Sequence, residues 1–124
     1  VGFGLLIVNI ILMRHALALD ATQTGIMCAG AGALSDPANT LVGWSCVNGS
    51  PGVPICTWTG VGCGDSDTNV ISIALNGKGL GGTPTTLFSL SAIQSLNLAT
   101  NPNFDSWSLP DAPSSSLKYV HVAN

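Results

Sequence analysis

The sequence predicts an α/β solenoid in which short parallel β-strands stack on one another behind an N-terminal cap that contains a helix and disulfide bonds. Three observations predict this fold class. Aliphatic residues recur in one fixed pattern in the second half of the chain, four cysteines lie between residues 28 and 63, and an apolar segment with helical spacing precedes most of them. The chain has 124 residues, which is the size of one domain with one hydrophobic core.

The N-terminal segment has the character of a secretory signal. Residues 1–12 are apolar, but the run meets Arg14 well short of the roughly 20 apolar residues that a membrane-spanning helix needs. Ala16-Leu17-Ala18 supplies the small-residue site that follows the apolar stretch of a signal. Residues 1–18 are therefore predicted to be a signal peptide cleaved after Ala18. A membrane anchor that stays attached is the alternative.

The cysteines fit the oxidising compartment that a secretory signal implies. Cys28, Cys46, Cys56 and Cys63 permit two disulfides in three possible connectivities. Asn48 begins the sequon Asn-Gly-Ser in a stretch rich in glycine and proline, so it is a candidate glycosylation site on a surface loop. The protein is expected to be secreted or to face the outside of the plasma membrane or the cell wall.

Residues 19–63 are predicted to form the cap. Apolar residues within 22–37 have a loose helical spacing, and Ser35-Asp36-Pro37 is expected to end the helix because proline disfavours it. Trp44 and Trp58 are predicted to lie in the cap core, where they would close the end of the solenoid so that the first strand is not an open edge.

Residues 64–124 are predicted to form about two and a half leucine-rich repeats that continue beyond Asn124. The pattern L-x-x-L-x-L occurs three times, starting at residues 70, 93 and 117, and these steps of 23 and 24 residues fall in the repeat range of about 20–29. Its members are Val70, Ile73 and Leu75, then Ile93, Leu96 and Leu98, then Leu117, Val120 and Val122.

An asparagine is expected to stabilise the turn of each repeat through its side chain. Asn101 stands at this position in the second repeat, where its side chain would bond to backbone groups that the turn leaves unpaired. Lys78 stands there in the first repeat and cannot accept such bonds. The ladder of asparagines is therefore expected to be imperfect at Lys78.

Two longer motifs add a family resemblance. The first is Leu34-Ser35-Asp36-Pro37, Leu41-x-x-Trp44 and C-x-W-x-G-V-x-C at residues 56–63. The second is LGGTPTTLFSL at residues 80–90, which follows L-x-G-x-I-P-x-x-L-x-x-L with Thr83 in place of isoleucine. On these residues the chain resembles the extracellular part of plant-type leucine-rich-repeat proteins, which include receptor-like kinases, receptor-like proteins and polygalacturonase-inhibitor-like proteins.

The resemblance implies a disulfide pairing, and the sequence departs from the family pattern both in the cap helix, where residues 26–31 match A-L-L-x-F-K poorly, and in the second repeat. The resemblance implies that Cys56 pairs with Cys63, which leaves Cys28 and Cys46 for a bond that would tie the cap helix to the Trp44 loop. A buried free thiol at Cys28 is the alternative. The second repeat has residues 103–110 where L-x-G-x-I-P is expected, with one residue inserted.

The sequence contains no recognisable catalytic constellation. Its six Asp residues are dispersed, it has no Glu, and no nucleophile motif or phosphate loop is visible. His121 has no carboxylate or cysteine neighbour in sequence, and Asp65-Ser66-Asp67 supplies too few oxygens for calcium. The sequence has only three Lys and Arg residues, which are too few to neutralise a nucleic-acid backbone. We predict a protein that is not an enzyme and has neither metal nor cofactor.

A binding role is predicted from the architecture. Stacked repeats present the outward strand positions on one concave face, where only Tyr119 resembles an interface anchor. The partner would be an extracellular protein, peptide or glycan, and membrane contact would come only from a retained N-terminal segment or a region beyond Asn124. The alternatives are a self-assembling wall or matrix protein and a secreted enzyme inhibitor. The candidate binding residues are Ser72, Ala74, Asn76, Ser95, Asn97, Ala99, Tyr119, His121 and Ala123.

Overall fold

The computed structural model describes residues 19–123, so the predicted signal peptide at residues 1–18 lies outside the described residues. Within them, helix α1 (Ala21–Ala33) precedes nine short strands. The 3-10 turns Ile55–Thr57 and Thr85–Ser89 connect some of them. No helix in residues 19–123 is long and apolar enough to cross a membrane. The strands are β1 (Leu34–Ser35), β2 (Cys46–Val47), β3 (Ser50–Pro51), β4 (Val61–Gly64), β5 (Asn69–Ala74), β6 (Gly81–Gly82), β7 (Ser95–Asn97), β8 (Asn103–Phe104) and β9 (Tyr119–His121).

Helix α1 begins at an acidic cap and ends earlier than the sequence predicts. The Asp20 side chain accepts a 2.7 Å hydrogen bond from the backbone N–H of Gln23, which satisfies a donor that the first turn leaves unpaired. The prediction that Ser35-Asp36-Pro37 ends the helix is wrong by a few residues. The helix stops at Ala33 because β1, at Leu34–Ser35, is extended and pairs with β6.

One face of α1 packs against the first repeat. Its buried residues are Gln23, Met27 and Gly30, which are spaced four and three positions apart and therefore form one stripe. A β-carbon at Gly30 would collide with the side chain of Leu87. The absence of a side chain at this position lets the helix lie directly on the 3-10 turn Thr85–Ser89.

The main sheet has the strand order β4-β5-β7-β9. Strands β5, β7 and β9 pair in parallel, and β4 pairs with β5 in antiparallel fashion. Ile73, Leu96 and Val120 stand side by side in this register. The three strands predicted from the aliphatic pattern are therefore neighbours, and the steps along the sequence are the steps across the sheet.

A second sheet, which the sequence did not predict, has the strand order β1-β6-β8. Strand β1 pairs with β6 in antiparallel fashion, and β6 pairs with β8 in parallel. Asn103–Phe104 therefore continues the sheet even though it lies where the family pattern is broken. This sheet ties the end of the cap helix to the return segments of both repeats.

The aliphatic positions of the first two repeat strands lie in the hydrophobic core together with buried residues of the cap and of the first return segment. Each of these positions is at most 1% exposed, whereas Val120 and Val122 on β9 are 38% and 40% exposed. The two valines are more accessible because no described element packs against the outer side of β9. The buried positions of the first two repeat strands are Val70, Ile73, Leu75, Ile93, Leu96 and Leu98.

Two disulfides hold the cap. They join Cys28 on α1 to Cys46 on β2, and Cys56 to Cys63 on β4. The Cys56–Cys63 bond is the one that the resemblance implied, and the Cys28–Cys46 bond joins the two cysteines that it left over. No cysteine within residues 19–123 is a free thiol. The first bond links the helix to the loop that carries Trp44, and the second closes the segment around Trp58.

Removing the Cys28–Cys46 bond is expected to destabilise the cap. Its two cysteines are 18 positions apart, and a disulfide closing a loop of this size stabilises a fold by about 3 kcal/mol. The double substitution Cys28→Ser with Cys46→Ser should lower the free energy of unfolding by about this amount in a denaturant titration. Mass spectrometry of non-reduced peptides checks the pairing, and a Cys28–Cys63 peptide would contradict it.

Asp36 organises the turn that follows β1. One carboxylate oxygen accepts hydrogen bonds of 2.9 Å from the backbone N–H and the hydroxyl of Thr40, and the other accepts one of 2.8 Å from the backbone N–H of Leu41. Burial raises the pKa of Asp36, but these hydrogen bonds and the nearby charge of Lys78 outweigh it, so the pKa lies below 3.8. The ionised form is the one that the turn stabilises.

The lowered pKa of Asp36 predicts a pH-dependent effect of Asp36→Asn. A depressed carboxyl pKa stabilises the fold above the unfolded-state pKa and loses that contribution as the pH falls through the folded-state value. The variant should be less stable than the parent by about 1 kcal/mol at neutral pH, and the two should converge as the pH falls through the lowered pKa of Asp36. Urea titrations across this range measure it. Asp111→Asn, at an exposed residue outside any described hydrogen bond, is the control, and a constant difference at every pH would contradict the assignment.

Candidate ligand-binding face

The solvent-facing side of the main sheet presents two rows of registered side chains, which we call the exposed sheet face. The strand pairing aligns one residue from each strand in the first row and one from each parallel strand in the second. Neighbouring strands pair through their backbones, so a ligand lying on this face would meet mainly side chains. The first row is Gly62, Ser72, Ser95 and Tyr119, and the second is Ala74, Asn97 and His121.

Side chains become larger along both rows with distance from the cap. At the cap end, a β-carbon at Gly62 would lie so close to the hydroxyl of Ser72 that this hydroxyl would have to rotate away. At the other end, the Tyr119 side chain is 56% exposed. Its ring centroid lies 6.5 Å from that of His121, and the two rings are nearly perpendicular. The face is therefore a shallow polar floor with an aromatic pair on its last strand.

The third position predicted for each strand lies off the two rows. Ala99 is only 5% exposed, so the prediction that it lies on the binding surface is wrong. Strand β7 ends at Asn97, whose side chain accepts a 3.2 Å hydrogen bond from the N–H of Ala99 and turns the backbone inward. Asn76 and Ala123 are exposed but lie beyond the ends of β5 and β9.

Asn101 holds the turn beneath the second row. It is fully buried, and its amide donates hydrogen bonds of 2.8, 3.1 and 3.2 Å to the carbonyls of Leu75, Leu98 and Ala99. Its side-chain oxygen accepts from the backbone N–H groups of Lys78 (3.2 Å) and Leu80 (3.1 Å). Asn101 therefore satisfies the turn of the first repeat as well as its own, which fills the gap expected at Lys78.

Gln23 connects the cap to β5, the strand of the first repeat, and the sequence analysis did not predict this contact. The side chain is 1% exposed, and its oxygen accepts a 2.9 Å hydrogen bond from the backbone N–H of Val70. Its amide donates to the side-chain oxygen of Asn69 at 3.0 Å and to the carbonyl of Thr68 at 3.3 Å. A polar residue in a short amphipathic helix normally indicates a surface position, so the sequence held no signal for this contact.

The two cap tryptophans lie away from the exposed sheet face. Trp58 is 2% exposed, Trp44 is half-buried, and their ring centroids are 5.1 Å apart. The indole N–H of Trp44 donates to the carbonyl of Thr59 at 2.8 Å, and that of Trp58 donates to Val53 at 3.2 Å. Both side chains are therefore used in closing the cap.

Asn48 stands at the tip of the β2–β3 hairpin. It and Gly49 have φ angles of 53° and 77°, the left-handed conformations that a two-residue hairpin turn requires. Both residues are exposed, and a glycan at Asn48 would have open space around it. Asn-Gly also suits the turn itself, so glycosylation stays a prediction.

Between residues 19 and 123, one group of potential metal ligands comes together, namely Cys56, Cys63 and Asp67, whose ligating atoms lie within 4.8 Å of one another. Both sulfurs are committed to the disulfide and have no thiolate to offer. The neighbouring segment 65–67 forms the β4–β5 turn, with all three residues at positive φ.

Basic groups concentrate beside β9. Between residues 19 and 123 the basic side chains are Lys78, Lys118 and His121, and Lys118 and His121 flank Tyr119 on either side along the chain. The carboxylates lie on the cap, in turns and in the return segment, and none belongs to either row. Lys118 therefore places one positive charge next to the last strand of the face, in a chain whose formal net charge is −3 with histidine counted as neutral.

Comparisons with known proteins give the class of fold. The sequence matches no family model, and a search of curated proteins gave no match. Solved structures do match, and they show that the chain has a fold like that of plant leucine-rich-repeat receptor ectodomains.

Two of these structures can be named. The BIR2 ectodomain from Arabidopsis thaliana is 24% identical, with a TM-score of 0.57 over 86% of this chain and 56% of that one. The ectodomain of the Arabidopsis receptor kinase HAESA, solved with an N-terminally extended IDA peptide hormone, is 26% identical, with a TM-score of 0.55 over 89% of this chain and 22% of that one. The chain thus spans less than two thirds of either neighbour.

Proposed function

We propose that this chain is an extracellular recognition module that binds a peptide or protein ligand through its exposed sheet face. The observation that carries the proposal is the Tyr119–His121 pair, two exposed rings on a strand whose backbone is fixed by the parallel ladder. Exposed aromatic side chains on a rigid frame contribute most to binding because they bury a large area at a small entropic cost. The peptide hormone bound by the HAESA ectodomain supports the same use of this fold.

The proposal includes an organisation for the whole chain. Residues 1–18 would be a signal peptide, residues 19–63 the cap and residues 64–124 the leucine-rich repeats of a secreted or cell-surface protein. Each repeat buries its aliphatic face only against a neighbour. Val120 and Val122 occupy the positions that are buried in the first two strands, and their exposure supports a further repeat stacked on β9.

Selection of binding peptides tests the proposal. The immobilised chain is screened against a library of short random peptides, and the enriched peptides are tested on Ala74→Trp and Ala112→Trp. Both alanines are exposed, but Ala74 lies in the second row and Ala112 in the return segment. The first tryptophan should abolish binding and the second should leave it unchanged. Peptides that bind Ala74→Trp as well as the parent would contradict the proposal.

Self-association is the second candidate, and the free edge of β9 favours it. Within residues 19–123 no strand pairs with the outer side of β9, and unpaired edges with exposed aliphatic residues are templates for pairing with another chain. Sedimentation of the chain over a range of concentrations separates the candidates. A dimer that dissociates in Val120→Lys would support self-association. A monomer at every concentration would contradict self-association and leave ligand recognition as the proposed function.

A further inference from the structure

We propose that strand β9 is the anchor for an acidic segment of an extended peptide, with Tyr119 covering the peptide backbone and with Lys118 and His121 facing its carboxylates. This inference rests on the proposed function and names the chemical class of its ligand. It is carried by the distribution of charge and ring area over the exposed sheet face.

Basic and acidic side chains are separated within residues 19–123. Two of the three basic side chains in residues 19–123 flank Tyr119, while all six carboxylates lie off the two rows. The nearest acidic turn in the sheet, residues 65–67, joins β4 to β5, and β5 lies two strand spacings, or about 10 Å, from β9. That distance exceeds the Debye length of about 8 Å at physiological salt. A carboxylate on β9 would therefore be attracted by the nearby charge of Lys118 more strongly than it is repelled by the acidic turn.

The surface around Tyr119 and His121 is lower than the two rings. Ser95 and Asn97 lie directly beside Tyr119 and His121 on the neighbouring strand, and both are shorter than the rings. The rings thus rise above a floor of small polar groups and leave space for an extended backbone next to them. Hydroxyl, amide and imidazole groups at this floor can donate hydrogen bonds to carboxylate oxygens.

The side chains of Lys118 and His121 are exposed and accessible to a ligand. Within residues 19–123, Lys118 donates a hydrogen bond from its backbone N–H to the carbonyl of Gln94 at 2.9 Å. Lys78, by contrast, is half-buried and lies near the Asp36 carboxylate. The basic charge that is least compensated is therefore the one next to the exposed tyrosine.

The test uses two synthetic peptides with the same length and backbone. One carries Asp and Glu at alternate positions, and its partner carries Asn and Gln there. Each is titrated into the ¹⁵N-labelled chain at low and at physiological salt, and the amide shifts of β7 and β9 are followed. The acidic peptide should shift Ser95, Asn97 and residues 118–121, and its affinity should fall as salt rises.

Matched variants locate the charge. Lys118→Gln should weaken the acidic peptide by about three- to tenfold and Tyr119→Ala by at least about tenfold, while Lys78→Gln should leave the affinity unchanged. The spectrum of each variant shows that it remains folded. Loss of affinity in Lys78→Gln equal to that in Lys118→Gln would overturn the inference, because it would indicate attraction by overall charge alone.

The remaining outcomes separate this inference from the proposed function. If the amide peptide shifts the same residues with equal affinity, the preference for carboxylates is wrong and the recognition face stands. A neutral oligosaccharide that shifts Tyr119 and His121 when the acidic peptide does not would overturn the inference in favour of a glycan ligand. If no probe shifts β7 or β9 and the selected peptides also ignore Ala74→Trp, the proposed function fails together with it.

Discussion

Asn101→Ala is expected to lower the free energy of unfolding by about 3–5 kcal/mol, which is among the largest effects of a single substitution in this chain. The Asn101 side chain bonds to carbonyls of three residues and to backbone N–H groups of two, and Leu75 and Leu80 among them are fully buried. A buried backbone group that loses its partner costs about 1–3 kcal/mol, and the alanine leaves several without one. Urea titration monitored by tryptophan fluorescence measures the loss.

Asn103→Ala is the matched control for this prediction. Asn103 lies two residues along the chain, is exposed, and pairs with Gly81 through its backbone in β8. Its replacement should change the free energy of unfolding by less than about 0.5 kcal/mol. Equal losses in the two variants would mean that the buried network contributes nothing beyond an ordinary surface asparagine.

Gly82→Ala should separate the cap from the repeats and cost at least about 2–3 kcal/mol. Gly82 has a φ of +78°, which an L side chain adopts at a cost of about 1–2 kcal/mol. A β-carbon there would also overlap the carbonyl oxygen of Ala33, the group that accepts a 3.1 Å hydrogen bond from the N–H of Thr83. Relief of the overlap requires β1 to move away from β6, and hydrogen exchange in α1 should accelerate along with the loss of stability.

Comparison with Gly79→Ala separates the cost of the overlap with Ala33 from the cost of the positive φ. Gly79 has a φ of +66°, so its substitution incurs a similar backbone cost, but a β-carbon at this position meets open space. The loss at Gly82 should exceed that at Gly79 by about 1 kcal/mol or more. Similar losses in the two variants, with unchanged hydrogen exchange in α1, would show that close contact between β6 and the cap is unimportant.

The main sheet could be predicted from the sequence because one physical constraint fixes it. Aliphatic residues at 70, 73 and 75 must leave water, and they can do so only if the next equivalent set packs beside them. The spacing of the sets therefore sets the register, and Ile73, Leu96 and Val120 are indeed aligned. The positions of Ser72, Ser95 and Tyr119 on the opposite side follow from the alternation of a strand.

What the sequence did not reveal depends on contacts between distant positions. Strands β1, β6 and β8 are two residues long and have no periodicity, so their pairing was invisible. Gln23 is buried because Val70 needs an acceptor, 47 positions along the chain. Ala99 turned inward because β7 ends at Asn97, and alternation is a rule only while the strand lasts.

The repeats starting at 70, 93 and 117 form one parallel ladder. Through-hydrogen-bond scalar couplings test this ladder most directly. A long-range HNCO spectrum reports which carbonyl accepts from each amide. We predict correlations from the N–H of Leu75 to the carbonyl of Asn97 and from that of Leu98 to the carbonyl of His121, the donors and acceptors 2.8 and 2.7 Å apart. Correlations of Leu75 and Leu98 to other carbonyls would contradict the fold and the binding face built on it.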